Sequence, residues 1–222
     1  MIANSGQPVG ERGIWRSYLR YRYEVLFYAL LGTLLVIPVA TTFGLPATFL
    51  KVLLWSCLLA AVMPNATRRS RHVILAAILL LAIATVGSEQ RYLPVNPALV
   101  LVAVSLVGLA SAGGALRFAI GAKTVSSAVL HAVLSTYLLA GLFFGQIYCS
   151  IERISPGSLI GPDPVTEQTA VYYSFVTLAT LGYGDFLPRT DLVRGVATFE
   201  VIGGQLFLAV LVARLISAFS RP

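Results

Sequence analysis

The sequence predicts an all-α integral membrane protein with six transmembrane helices, and a re-entrant helix and loop between the fifth and the sixth. Three observations predict it. Hydrophobic residues make up 57% of the 222 residues and charged ones only 11%, whereas soluble domains carry about 25% charged residues. Apolar runs close to the length of a bilayer crossing recur along the chain. Basic residues gather at alternate ends of those runs. Mean hydropathy is +0.83. With two cysteines, no repeat and no long polar tract, disulfide-rich, fibrous and disordered classes fall away.

In chain order, the apolar runs fall at about 23–43, 46–63, 72–87, 97–115, 124–149 and 192–218, each bounded by charge or by Pro and Gly. The third is the shortest for a full crossing, which takes roughly 20 residues. The first follows Arg12, Arg16, Arg20 and Arg22, the arrangement of a signal peptide. Its apolar run exceeds the usual 7 to 15 residues of such a peptide, however, so it is read as a span. Asn65-Ala66-Thr67 matches a glycosylation acceptor but falls on the inner side, and is read as a chance match.

A net charge of +7 invites a nucleic-acid reading. No basic stripe carries interleaved aromatics, so no nucleic-acid partner is expected. With the N-terminus placed inside, Arg12, Arg16, Arg20, Arg22, Arg68, Arg69, Arg71, Arg117, Lys123, Arg214 and Arg221 share the inner side. The outer side takes Lys51, Arg91, Arg153, Arg189 and Arg194, together with Glu89, Glu152, Asp163, Glu167, Asp185 and Asp191. That asymmetry places both termini in the cytoplasm. Short loops lean toward a prokaryotic inner membrane. Cys57 and Cys149 fall at different depths, so no disulfide is expected between them.

Residues 177–185 read Thr-Leu-Ala-Thr-Leu-Gly-Tyr-Gly-Asp. A chance T-x-G-Y-G-D in a chain of this length has odds of roughly 10⁻⁴. The motif follows a helix expected over 166–178, half long enough to cross a bilayer and so of re-entrant length. Asp163 before Pro164, or Thr166 before Glu167, is expected to cap that helix. A Gly-rich turn between two spans is the plain alternative, and it leaves the five matched positions unexplained.

This segment resembles the pore domain of the tetrameric potassium channels, over about residues 124–218. In that family an outer helix, a pore helix, a filter strand and an inner helix make one quarter of a central pore. Thr180, Gly182, Tyr183, Gly184 and Asp185 fit the family pattern, and Leu181 stands where Val is more usual. The resemblance implies K⁺ held by Thr180, Leu181, Gly182 and Tyr183, a filter completed by Gly184, and support from Tyr173, Thr177 and Asp185. It implies that Tyr173 bonds Asp185 behind the filter, and the Tyr183 ring is expected to pack on Tyr172 or Tyr173. It also implies a homotetramer in membrane lipid, with no cofactor beyond the transported K⁺ and with room for a separate regulatory subunit. The domains would be a cytoplasmic segment 1–22, a four-helix membrane domain 23–116 and a pore domain 117–222.

The chemistry can be argued without the family. A cation stripped of water needs oxygen ligands, and rings of backbone carbonyls supply them. Carbonyls turn to one axis only if successive residues alternate in backbone handedness, and Gly182 and Gly184 reach positive φ without steric cost. Irregular backbone at membrane depth must be enclosed by protein, so a working monomer is not expected. The short helix would aim its partially negative C-terminus at the conduction path, favouring a cation.

The last span is long enough to tilt. Gly203 and Gly204 at its middle are read either as a hinge, which the resemblance implies for Gly204, or as a small-residue packing contact. Gln205, Leu208, Val212 and Ile216 recur at helical spacing and are expected to line a cavity and gate. Glu200 inside a span is a functional candidate by default, read as a support behind the filter, as an ion-facing charge or as an interfacial group. His72 and His131 lack partners at metal-ligand spacing and are read as structural.

The fourth span carries no Lys or Arg from Pro97 to Leu116, so no steep voltage sensing is expected of it. The chain ends soon after the inner helix, so no appended gating domain is expected. The function expected is passive, K⁺-selective conduction. A cation-uptake subunit and a non-conducting regulatory subunit are the alternatives; an enzyme is not expected, since no nucleophile–base pair lies in the spans.

Overall fold

The computed structural model describes residues 9–43, 96–121 and 126–219. Among them are five helices: α1 (Val9–Thr42), α2 (Pro97–Gly121), α3 (Ser127–Ile154), α4 (Glu167–Leu178) and α5 (Asp191–Phe219). Two short strands, β1 (Leu159–Ile160) and β2 (Leu187–Pro188), complete the fold. The predicted second and third spans, 46–63 and 72–87, lie outside the described residues, as do Cys57 and His72.

The helix α1 begins well before the predicted span. Its 34 residues reach about 51 Å at 1.5 Å per residue, longer than a hydrocarbon core of about 30 Å. Only Tyr23–Val36 is its continuous apolar part, so the arginine-bearing N-terminal turns continue the same helix beyond it. Pro97 opens α2, and the Asn96 Oδ1 accepts from the Ala98 amide at 2.9 Å, satisfying one of the otherwise orphaned first-turn amides.

Contacts along α3 fix the directions of its neighbours. Ser127 donates to Glu24 at 3.0 Å, and one turn further on His131 lies against Phe27 and Tyr28. The two helices therefore ascend together. Against α2 the order reverses, because Thr136 faces Ala112, Phe143 fills the space above Gly108, and Leu101 joins the cluster of Tyr148 and Cys149. Phe43 and Asn96 thus lie at the same end of the bundle, the end where α3 finishes.

From there the chain turns back. The α4 N-terminus is set by Thr166, whose hydroxyl accepts from the Thr169 amide at 3.2 Å while Thr169 accepts from the Thr166 amide at 2.7 Å. Of the two caps the sequence leaves open, Thr166 is the one used. Then α4 descends along α3 over two glycines. A Cβ on Gly145 would lie 2.6 Å from the Val171 Cα, and one on Gly141 would meet the Phe175 ring. This is the small-residue approach expected of helices packed in a membrane.

One core joins Tyr23, Leu26 and Leu30 of α1, Val100 and Val104 of α2, Leu139 and Phe143 of α3, and Val171 of α4. A second gathers Tyr148, Tyr173, Phe186 and Val193 near the end where α3 finishes. The strands pair antiparallel, Leu159 with Pro188 and Ile160 with Leu187, and so tie the segment after α3 to the one before α5. Both α3 and α5 are long and apolar enough to cross a membrane.

Candidate functional site

The α4 helix ends where the T-x-G-Y-G-D strand begins, and the helix itself holds the strand. Its last carbonyls have no partners inside a helix. Here strand amides take them: Thr180 donates to Thr177 O at 2.9 Å, Leu181 to Val176 O at 2.9 Å, and Gly182 to Val176 O at 3.4 Å. The first three residues of the strand thereby spend their amides on the helix.

Left-handed backbone recurs at every second residue: Thr180 at φ 58°, Gly182 at 55° and Gly184 at 80°. Among the described non-glycine residues only Thr180 has positive φ. For a β-branched side chain that is a strained conformation. It extends the alternation one residue beyond the glycines, and glycine pattern alone did not reveal it. Alternating handedness is what turning successive carbonyls to one side requires.

Residues 179–185 are all exposed within the single chain. Leu181 is 56% and Tyr183 66% exposed, and a Cβ at Gly182 or Gly184 would meet nothing within 4 Å. Within the single chain, the Tyr183 ring stacks on neither Tyr172 nor Tyr173. Tyr172 stands edge-on to Phe186 instead, and Tyr173 edge-on to Tyr148.

One correction concerns Asp185. Its Oδ2 accepts from Tyr172, at 2.7 Å, and not from Tyr173, which is buried between α3 and α4. Helix α4 presents adjacent residues about 100° apart, so only one of the two tyrosines can turn toward the strand's outer end. The hydrogen bond to Asp185 raises the titration of the Tyr172 hydroxyl above the ordinary tyrosine range. The Asp185 Oδ1 accepts from the Phe186 amide at 3.0 Å, bending the strand away beyond it. Tyr173 interacts with Thr177, one turn along α4.

Glu200 lies in α5 and is 1% exposed. Tyr148 of α3 donates to its Oε2 at 2.6 Å, and Ser174 of α4 lies 2.5 Å from its Oε1. Of the three readings the sequence leaves open for Glu200, this geometry has it hydrogen-bonded behind α4. Neither Tyr148 nor Ser174 stands out in the sequence. The available signals were a serine within the aliphatic and aromatic run 170–176 of α4 and the Gly141-x-x-x-Gly145 spacing opposite it.

Further along α5, the two glycines differ. A Cβ on Gly204 would lie 2.7 Å from Leu178 Cδ1 and 3.0 Å from its carbonyl oxygen, whereas one on Gly203 would meet nothing. Gly204 is thus the contact on which the base of α4 rests, and the helix runs unbroken through both residues. Gln205, Val212 and Ile216 are exposed and Leu208 is half-buried.

At the rim, Glu152 accepts from the amides of Gly157 at 2.6 Å and Leu159 at 2.9 Å. Arg153 pairs with Glu167 at 2.8 Å, joining the end of α3 to the start of α4. His131 bonds within its own helix, to Ser127 O at 2.8 Å.

A family model described as an ion channel matches residues 132–221. The inward rectifier potassium channel Kirbac3.1 of Paramagnetospirillum magnetotacticum is 32% identical over 39% of this chain and 28% of its own. A putative potassium channel protein of Rhodopseudomonas palustris is 41% identical over 25% of this chain and 14% of its own. The chain thus spans less than a third of the length of either relative. No solved structure matches it. Residues 132–221 are thus similar to an ion-channel family, and the chain is similar in part to two potassium channels.

Proposed function

We propose that this chain is one subunit of a homotetrameric, K⁺-selective channel, with residues 117–222 forming a quarter of its pore. The observation that carries the reading is the strand at Thr180–Gly184. Its alternating handedness, with the Thr180, Leu181 and Gly182 amides committed to α4, leaves its carbonyls for a desolvated cation. Four such strands around one axis give stacked rings of oxygen from Thr180, Leu181, Gly182 and Tyr183 that replace the water of K⁺. The partially negative end of α4 faces the path below them. Asp185, with its neighbours' copies, forms a ring of carboxylates that concentrates cations at the mouth.

Assembly follows from exposure. A strand this open cannot sit bare at membrane depth, because lipid satisfies none of its polar groups. Gln205, Val212 and Ile216 share the exposed side of α5 and line the cavity and gate beneath the filter. Membrane lipid covers the outside of the assembly, and a separate regulatory subunit is compatible with it.

The rest of the chain fits six spans. Phe43 and Asn96 lie at the same end of the bundle, so an even number of crossings joins them, and the runs 46–63 and 72–87 supply two. Residues 23–116 then make a four-helix membrane domain whose uncharged fourth span gives no steep voltage dependence. Residues 1–22 face the cytoplasm, and both termini lie on that side of a prokaryotic inner membrane.

Reconstitution into planar bilayers tests the reading. The reversal potential is expected to follow the K⁺ gradient, and equal Na⁺ permeability would defeat it. Gly182→Ala is expected to abolish nearly all K⁺ flux while the oligomer survives. Within one chain an added methyl meets no atom, so its effect must come from the left-handed backbone, at roughly 1–2 kcal/mol per strand, and from crowding where four strands meet.

A further inference from the structure

Glu200 sits where α3, α4 and α5 meet, and the hydrogen atoms around it can be counted. Its Oε2 takes the Tyr148 hydroxyl proton at 2.6 Å. Its Oε1 lies 2.5 Å from the Ser174 Oγ, and that same Oγ lies 2.7 Å from the carbonyl oxygen of Gly141. A serine hydroxyl carries one proton, and a carbonyl carries none. Two such short contacts from one hydroxyl need two protons. An ionised Glu200 brings no second proton, and the Tyr148 proton is already committed to the other oxygen.

With Glu200 ionised, either the Glu200 or the Gly141 contact would press two oxygen lone pairs together in a buried, low-dielectric site. The titratable groups facing Glu200 are Tyr137 and Tyr148 on α3 and Tyr173 on α4. Among the described residues, no ion pair includes Glu200. None of those facing groups, among the described residues, offers the positive charge that a buried carboxylate requires.

The geometry points to Glu200 as a neutral carboxylic acid that donates its own proton from Oε1 to Ser174. Ser174 in turn donates to Gly141 O, and Tyr148 donates to Oε2, so every donor and acceptor of the group is used. A single proton thereby ties the inner helix α5 to α4 and, through Ser174, to α3. Glu200 is then a positioning residue: it acts on the strand at 180–184 through α4, from whose end that strand hangs. The protonation state itself stands apart from what passes along the strand.

Infrared spectroscopy of the full chain in lipid vesicles at neutral pH reads this proton directly. Wild type is expected to show the carbonyl stretch of an un-ionised carboxylic acid there. The band should vanish in Glu200→Gln, persist in Glu152→Gln, and move to the frequency of a more weakly bonded acid in Ser174→Ala. Glu200→Gln keeps a donor and an acceptor, so its oligomer and thermal midpoint should stay close to wild type. A wild-type spectrum without the acid band overturns the assignment even if no variant folds. A band indifferent to Ser174→Ala overturns the proposed donor direction.

Discussion

The helices α3 and α5 look alike as sequence and differ as structure. Each is long and apolar enough to cross a membrane, yet 56% of the α3 span is buried within the chain and only 11% of the α5 span. The buried residues of α3 face α1, α2 and α4 in turn. Those of α5, among its described residues, reduce to Val193, Glu200 and Gly204, seven and four apart, which is one narrow stripe on a helix. Hydropathy reports that a segment avoids water. It does not report whether the neighbours are protein or lipid, nor whether that protein is the same chain. For α3 the partners are here; for α5 most of them belong to the proposed copies and to the bilayer.

The largest expected effect lies on the α3 side. Gly145→Leu would drive a side chain into the Val171 backbone, whose Cα lies 2.6 Å from the position of the first added atom. Backbone cannot rotate aside, so α4 must lift off α3, and a loss of about 3 kcal/mol or more is expected. The fraction of monodisperse protein after solubilisation and the unfolding midpoint measure it. Gly203→Ala on α5 is the matched control. Nothing lies within 4 Å of that position, and alanine favours a helix over glycine by nearly 1 kcal/mol. Its midpoint should hold or rise. A reversed ranking would break the contrast between the two helices.

A smaller effect is expected from truncating the open face of α5. Ile202 and Leu206 are 53% and 62% exposed and four residues apart, so they share a face. Ile202→Ala with Leu206→Ala should leave the fold of the chain intact. If that face meets a neighbouring copy, the oligomer should dissociate about tenfold more readily in detergent, on the order of 1.4 kcal/mol. Native mass spectrometry or light scattering reads the population. An unchanged oligomer would assign the face to lipid alone.

The same contrast explains what could be read in advance. The ends of α4 and α5 were legible because polar punctuation, a cap and a motif coincide there. The glycines of the strand were legible because positive φ selects them, whereas Thr180 was not, since its residue type argues against the conformation it adopts. Which of Tyr172 and Tyr173 meets Asp185 depends on a helical phase set by Gly141 and Gly145 on another helix. Glu200 could be singled out as an acid inside a span, but its partners come from residues 52 and 26 positions away. The early start of α1 escaped notice because hydropathy marks where the apolar part begins and is silent about helix that continues past it.

The smallest effect is expected where α3 and α4 meet at the rim. Arg153 and Glu167 join the same two helices as Gly145 and Val171 do, at 2.8 Å, but their side chains are 36% and 26% exposed. Solvent screens such a pair and two side chains must be ordered to make it, so it contributes less than about 1 kcal/mol. Glu167 also occupies the first turn of α4, where a carboxylate favours the positive helix end by a few tenths of a kcal/mol or more. Glu167→Gln removes both terms and should lower the unfolding midpoint slightly at low salt and hardly at all at high salt, because a Debye length of about 3 Å at 1 M screens exposed charge. A large, salt-independent loss would mean that the two helices are held together at the rim, and that the glycine seam buried beneath it is the weaker joint.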